Sequence, residues 1–335
     1  MTDYRAANNH RLFSIILALL LLAVPYPVTC GEAEPTPCTM VPLWSPQAQF
    51  AGYYVALEKG FYRKHGIDMT ILRGGPACSG CEFLQDGRAD FAILWLTTAI
   101  RQYGEGLRLV NTGQIIPRSA MMLVAKKTRG IRQPADMNGK TVSVWGGDLA
   151  VPPRAFFKKY GLRVTEVPQS YTVNLFLRGG VDVASAMLYN EYHTILNTGI
   201  NPDELNVFPM SDYGLNFPED GIYMLESTYR KNPNLGVACG KASLEGWQYA
   251  FAHPDEALDI VIQYMRRANI CANRTHQKWM LSRMRDLITP VLEAPGGSRL
   301  NRTDFESVSD FLFQSDLIEV IPDYDQFTGG INVQD

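Results

Sequence analysis

The sequence predicts an α/β protein of two lobes, each a mostly parallel sheet flanked by helices, with further helices at the C-terminal end. Three observations carry this. Strand and helix signals alternate from residue 39 to about residue 210, the order that builds parallel sheets. That order then repeats: "FYRKHGIDMT" (Phe61–Thr70) matches "FFKKYGLRVT" (Phe156–Thr165) in residue type, and "LQDGRADFA" (Leu84–Ala92) matches "FLRGGVDVA" (Phe176–Ala184). Upstream of each copy an apolar strand ends in tryptophan, Trp44 in one and Trp145 in the other. Finally, 335 residues, 46% hydrophobic and 19% charged, are enough to bury two cores.

Taken in order, Thr39–Leu43 is a short apolar run and reads as the first strand. Gln47–Lys64 has helical spacing, and Gly66 stops it ahead of a second strand, Ile67–Leu72. Leu84–Gly87 closes the next helix, and Phe91–Leu94 and Leu107–Gly113 read as the third and fourth strands. In both repeats a Gly-x-x-Asp turns a helix into a strand. Lobe 1 is expected over 36–117 plus 212–335, and lobe 2 over 118–211. In the last third, "CGKASLEGWQYAFAHPDEALDIVIQYMRRA" carries helical spacing broken at His253-Pro254, with Trp247 and Tyr249 as core candidates.

A net charge of −3 without a basic run argues against nucleic acid as partner. Residues 1–30 read apart from the rest. Arg5 and Arg11 precede the apolar run Leu12–Val24, too short for a comfortable membrane span but suited to a signal peptide, so an extracytoplasmic protein is expected. Cys30 is a candidate for a lipid anchor. Export favours disulfides, and Cys239 and Cys271, which flank a helical hairpin, are the expected pair. Cys78-Ser-Gly-Cys81 has the CxxC spacing of redox and metal sites, yet no second CxxC or nearby histidine pair completes a zinc site; a local disulfide or two free thiols stiffening a loop outweighs a catalytic pair. Cys38 and Cys78 fall at opposite ends of parallel strands and should not bond.

Open α/β sheets place ligand sites at the carboxyl ends of their strands, and two facing lobes turn those ends into one cleft. Trp44, Ser45, Gln49 and Tyr53 belong to the first turn and its helix. Trp145, Gly146, Gly147 and Asp148 look back from the other lobe. Gly74–Gly80, with Gly75, follows the second strand, and Trp95 ends the third. Tyr189, Asn190 and Glu191 join an aromatic face to hydrogen-bonding groups at a helix start. "NFPEDGIY" (Asn216–Tyr223) offers Glu219 and Asp220, with Glu219 the candidate contact. Blander readings stand beside these: tryptophans as core wedges, Glu191 complementing a helix dipole, "PEDG" as a solvated turn. Arg118 and Arg154 are the exceptional cations. Such a lining suits a flat hydrogen-bonding heterocycle better than a phosphate or sulfonate.

"WSPQAQFAGYYVALEKGFY", the Gly-x-x-Asp-Phe strand start, "DMNGKTVSV" and "GWQYAFAHPDEAL" resemble the substrate-binding proteins of ABC transporters for thiamine-precursor pyrimidines, over about residues 40–290. The family is also similar to sulfonate and taurine binders and to the yeast pyrimidine synthase. The resemblance implies a type II periplasmic-binding-protein fold, hinged near Ile116–Ser119 and Met210–Gly214, that captures a small solute as a monomer and delivers it to a membrane permease. Alternatives within this reading are a sulfonate or taurine-type solute, or a sensing module that docks on a receptor. The synthase's cofactor lysine and histidine fall on Leu94 and Thr98 of this chain, and its cysteine-rich iron-binding run has no counterpart, so neither enzyme activity nor a cofactor or metal is expected.

Overall fold

The computed structural model describes residues 34–76 and 78–330. The expected signal peptide and the lipid-anchor candidate Cys30 lie outside the described residues. Ten strands run β1 (Thr36–Val41), β2 (Ile67–Ile71), β3 (Phe91–Trp95), β4 (Leu109–Gln114), β5 (Met121–Lys126), β6 (Thr141–Val144), β7 (Thr165–Pro168), β8 (Val183–Met187), β9 (Leu205–Pro209) and β10 (Asp220–Leu225). They form two five-stranded sheets ordered β2-β1-β3-β10-β4 and β7-β6-β8-β5-β9. We call the parts built on them lobe 1 and lobe 2.

The sheets are mixed where mostly parallel ones are expected. β1 pairs parallel with β2 and β3, and β6 with β7 and β8, but β10 runs antiparallel between β3 and β4, and β5 antiparallel between β8 and β9. These two are the strands that enter each lobe from the other. Because they start at the crossing, they must run back against their neighbours. The crossings lie side by side: the Ile115 and Ile116 N–H groups donate to Asp220 O, and Glu219 N–H donates to Ile116 O, each at 3.0 Å. β3 and β8 are buried along their whole length, the pattern of central strands covered on both faces.

The repeated Gly-x-x-Asp has one structural job in both lobes. Gly87 and Gly179 end their helices with φ of 69° and 75°, a conformation that favours glycine. Three residues later, Asp90 accepts the Thr39 N–H at 2.8 Å and returns its own N–H to Thr39 O at 2.8 Å. Asp182 repeats this with Thr141, at 3.1 Å and 2.9 Å. Each aspartate thus locks its lobe's central strand, β3 or β8, to a parallel neighbour, β1 or β6.

The helix expected over Gln47–Lys64 is broken into a 3-10 turn Ala48–Phe50, a helix Ala51–Glu58 and a short helix Phe61–Lys64, with Gly60 at φ 73° between the last two. Ala51–Glu58 packs on the long helix Pro233–Ala252 at a crossing with little room. A Cβ on Gly52 would come within 2.3 Å of the Trp247 ring, and one on Gly246 within 2.1 Å of Gly52 O. Trp247 is fully buried beneath this crossing, whereas Tyr249 is half-exposed. Among the described residues no helix is long and apolar enough to cross a membrane.

The expected Cys239–Cys271 disulfide does not form, and both thiols are free. Cys239 lies inside Pro233–Ala252 and is fully buried, with Cys38 and Tyr62 near it. Cys271 is exposed beyond the 14-residue helix Pro254–Arg267. The hairpin places the two at its ends but turns one inward and the other outward. Cys38, Cys78 and Cys81 are free as well, and burial pushes the Cys38 and Cys81 thiols up to about 12.

Candidate functional site

The carboxyl ends of the strands of both lobes face one cleft. Leu43, Trp44, Gln47, Gln49 and Trp95 line it from lobe 1, and Met121, Trp145, Leu149, Met187, Tyr189, Asn190 and Glu191 from lobe 2. The enclosed space is about 40 Å³, room for a few water molecules. A heterocycle could enter only if the walls part. A larger recess of about 590 Å³ is lined by lobe 1 alone, from Asn111 to Thr328, and contains no tryptophan.

Aromatic rings close the mouth. Trp44 meets Trp145 edge to face, and Tyr171, 67% exposed, packs on both at 5.8 and 6.1 Å. The floor is polar and rigid. Asp220 is buried, with Oδ1 accepting the Trp95 indole N–H at 3.1 Å and Oδ2 accepting Gln49 Nε2 at 2.9 Å. Gln47 Nε2 donates in turn to Gln49 Oε1 at 2.7 Å, so the Gln49 amide is fixed from both ends. Burial raises the Asp220 carboxyl to about 7, against the lowering effect of its two donors.

On the lobe 2 wall, Glu191 opens the helix Glu191–Leu196. Its Oε2 accepts the Met187 N–H at 2.8 Å, and its Oε1 accepts Asn190 Nδ2 at 2.9 Å. Burial holds its carboxyl above the usual range, and it is the one charged side chain in the lining. Tyr189 is 2% exposed, and burial, then the nearby Glu219, Asp220 and Glu191 carboxyls, push its phenol well above the ordinary value.

Of the candidate residues, Trp44, Gln49, Trp95, Trp145, Tyr189, Asn190 and Glu191 come together in the lining. Five do not. Tyr53 is fully buried with its ring 5.9 Å from Trp247, because the 3-10 turn before it shifts the phase of the helix. Gly75 stays outside the lining. The close approach in that loop is made by Gly74, where a Cβ would meet Pro42 O at 2.2 Å and Trp44 O at 2.4 Å, so the loop buttresses the Trp44 turn. Gly147, at φ 60°, starts a 3-10 turn that carries Asp148 away to the Arg101 guanidinium of lobe 1. Glu219 is buried at the crossing, where Oε1 accepts Ser119 Oγ at 3.3 Å and Ala120 N–H at 2.6 Å while Oε2 has no partner. "PEDG" is no solvated turn: β10 starts at Asp220, and while Glu219 turns to Ser119 and Ala120, Asp220 lies behind the lining and holds Trp95 and Gln49.

Arg118 is exposed outside the lining, and Arg154 is held by Glu166 at 2.8 Å. Leu94 and Thr98 also lie outside the lining. Sequence reasoning missed Leu43, Gln47, Met121, Leu149 and Met187, along with Tyr171 at the mouth. Met121 and Met187 are strand residues whose apolar character carries no mark separating a cleft wall from a core. Among the described residues no group of three or more His, Cys, Asp or Glu side chains could hold a metal ion.

Residues 47–257 match the profile of the family described as NMT1/THI5 like. Among curated proteins, a riboflavin-binding protein of Chloroflexus aurantiacus is 26% identical over 76% of this chain and 77% of its own. A formylaminopyrimidine-binding protein of Halalkalibacterium halodurans is 22% identical over 87% of this chain and 88% of its own. Among solved structures, the periplasmic aliphatic sulphonate binding protein SsuA of Escherichia coli superposes with a TM-score of 0.66 at 14% identity, covering 88% of this chain and 97% of that one. The two lobes, their crossing strands and the additional C-terminal helices are the periplasmic-binding-protein fold.

Proposed function

The chain belongs to the NMT1/THI5-like family, and from that premise we propose that it is the solute-binding component of an ABC importer, capturing a small planar nitrogen heterocycle between its lobes. The observation that carries the ligand class is the lining itself: three tryptophans, with Glu191 as the one charged group. Aromatic faces from both lobes suit a flat ring, and a buried carboxylate wall suits a ligand with N–H donors. An alkanesulfonate would want a guanidinium or ammonium at this wall, and no arginine or lysine is among the lining residues. The relatives named for riboflavin and formylaminopyrimidine support a nitrogen heterocycle.

The N-terminal apolar run fits delivery to a permease from outside the cytoplasm, with the chain acting as a monomer. Turnover by pyrimidine-synthase chemistry finds no support, because Leu94 and Thr98 offer neither the amine nor the imidazole it needs. A thermal-shift screen of formylaminopyrimidine, riboflavin and an alkanesulfonate tests the reading. A ligand at 100 times its Kd stabilises the folded chain by about 2.7 kcal/mol. Stabilisation by the sulfonate alone would refute the proposed ligand class.

A further inference from the structure

Three hydrogen bonds lead from the cleft wall to the surface where the lobes meet. Glu191 Oε1 holds Asn190 Nδ2, which leaves Asn190 Oδ1 turned outward, 3.0 Å from His276 Nε2. An amide oxygen only accepts, so His276 Nε2 carries the proton and Nδ1 of the neutral ring is bare. His193 Nδ1, 2.9 Å away, is then the N–H that donates to it, and the Asn197 amide 3.3 Å from the same nitrogen must turn its oxygen toward that N–H. His276 belongs to the helix Arg274–Glu293 on lobe 1, while Asn190, Glu191 and His193 belong to lobe 2.

The rings stack on one another. His193 lies nearly parallel to His276, centroids 5.1 Å apart, and flat on Trp279 at 4.6 Å, and the Trp279 indole N–H donates to Leu188 O at 3.2 Å. No charge on the packed elements is free to offset a second proton. Glu191 is bonded to Met187 and Asn190, and Arg274 pairs with Asp255 and Asp259. Arg283 lies 4.9 Å over Trp279 and pairs with Asp286, Lys278 is exposed, and the turn Ala48–Phe50 packed on the same helix carries no charge.

We infer that His276 is a positioning residue for capture: from the opposite lobe it holds the Asn190–Glu191 wall in its cleft-facing arrangement, and a proton added at His276 Nδ1 releases that wall and opens the cleft. The inference rests on the reading of this cleft as the solute site. A second proton would set two N–H donors nose to nose at the distance now bridged by one. Burial, then His193, lowers His276 to about 4 in the closed arrangement, and burial also lowers His193. When the lobes part, both rings return toward the ordinary value of about 6.5.

The sign follows from linkage. A base whose value is depressed in the closed state favours closure above about pH 6.5, and that preference is lost as pH falls toward 4. For His276 alone, the step from about 6.5 to about 4 weakens affinity by about 30-fold between pH 7.5 and pH 5.

The test uses the full mature chain, with riboflavin and formylaminopyrimidine as calorimetric probes across that pH range and small-angle X-ray scattering at the same pH values. His276→Gln keeps a donor for Asn190 but cannot titrate. Wild type should lose about 30-fold in affinity while His276→Gln loses less than about 3-fold. A flat wild-type profile, or an equal slope in the variant, overturns the inference. Should His276→Gln fail to fold, His276→Asn, which also offers an amide donor and cannot titrate, carries the same expectation. If neither probe binds at neutral pH, the ligand reading fails and scattering decides. A radius of gyration that grows on acidification in wild type but not in the variant supports the latch, and an unchanged wild-type radius overturns it.

Discussion

Trp44 and Trp145 meet edge to face across the cleft, ring centroids 5.6 Å apart and planes at 80°. Trp44 follows β1 and Trp145 follows β6, so equivalent positions of a repeated unit become the two halves of one shutter. The rings bar entry while in contact and supply apolar faces once a solute parts them. Replacing either with alanine should weaken binding by about 1–3 kcal/mol through lost buried area and ring contact. Calorimetry on Trp44→Ala and Trp145→Ala checks this, and unchanged affinity in both would place the solute elsewhere.

Glu191→Gln keeps the shape of the wall and removes its charge. For a heterocycle bearing amino donors the change should cost about 1.5–3 kcal/mol of affinity, and for a sulfonate it should be neutral or favourable. Parallel titrations with both ligand classes separate the two cases.

Asp220 should govern part of the pH dependence of stability. Its carboxyl is raised from 3.8 to about 7 in the folded chain, which therefore holds the proton more tightly than the unfolded chain does. Stability from this group is full below about pH 4 and is lost as pH rises through about 7. Asp220→Asn abolishes that slope and turns an amide N–H₂ toward the Trp95 and Gln49 donors, at a cost of about 1–3 kcal/mol. Melting curves of both proteins between pH 5 and pH 8 should converge as pH rises, and a constant gap would show that Asp220 does not titrate there.

Thiol labelling of the native chain should modify Cys78 and Cys271 and spare Cys38, Cys81 and Cys239 until the chain unfolds. The last three are buried and their thiolates disfavoured. Mass spectrometry before and after denaturation reads the pattern, and native labelling of Cys239 would contradict the packing.

Gly52→Ala puts a methyl into the Trp247 ring at a helix crossing that has no slack. A loss of about 1–3 kcal/mol is expected by urea unfolding, with lobe 2 untouched. A neutral result would mean that the helices separate more easily than their packing implies.

Much of the cleft was legible in the sequence because an apolar run fixes where a strand ends, and Trp44, Trp95, Trp145 and Tyr189–Glu191 all follow such runs. The aim of a side chain beyond the strand end was not. Asp148 leaves the cleft because Gly147 starts a new turn, and Tyr53 leaves it because a 3-10 turn changes the helical phase. Asp220 was overshadowed by Glu219 because "PEDG" has the composition of a turn, while its pairing with β3 and β4 makes it the start of a strand. Tyr171 and His276 act across the space between the lobes, a relationship that local periodicity does not record.

The position of β10 between β3 and β4 sets the order in which the molecule can be completed. As the chain emerges from its N-terminus, β1, β2 and β3 can pair, but β4 has no neighbour until residue 225 has been made. The second sheet, from β5 to β9, uses one uninterrupted stretch and can close first. Until β10 arrives, the growing first sheet carries an open edge at β3, the kind of edge that recruits foreign strands. Long-range insertion of a central strand is also slow. The same strand that carries Asp220 to its bonds with Trp95 and Gln49 therefore keeps lobe 1 unfinished until late in synthesis.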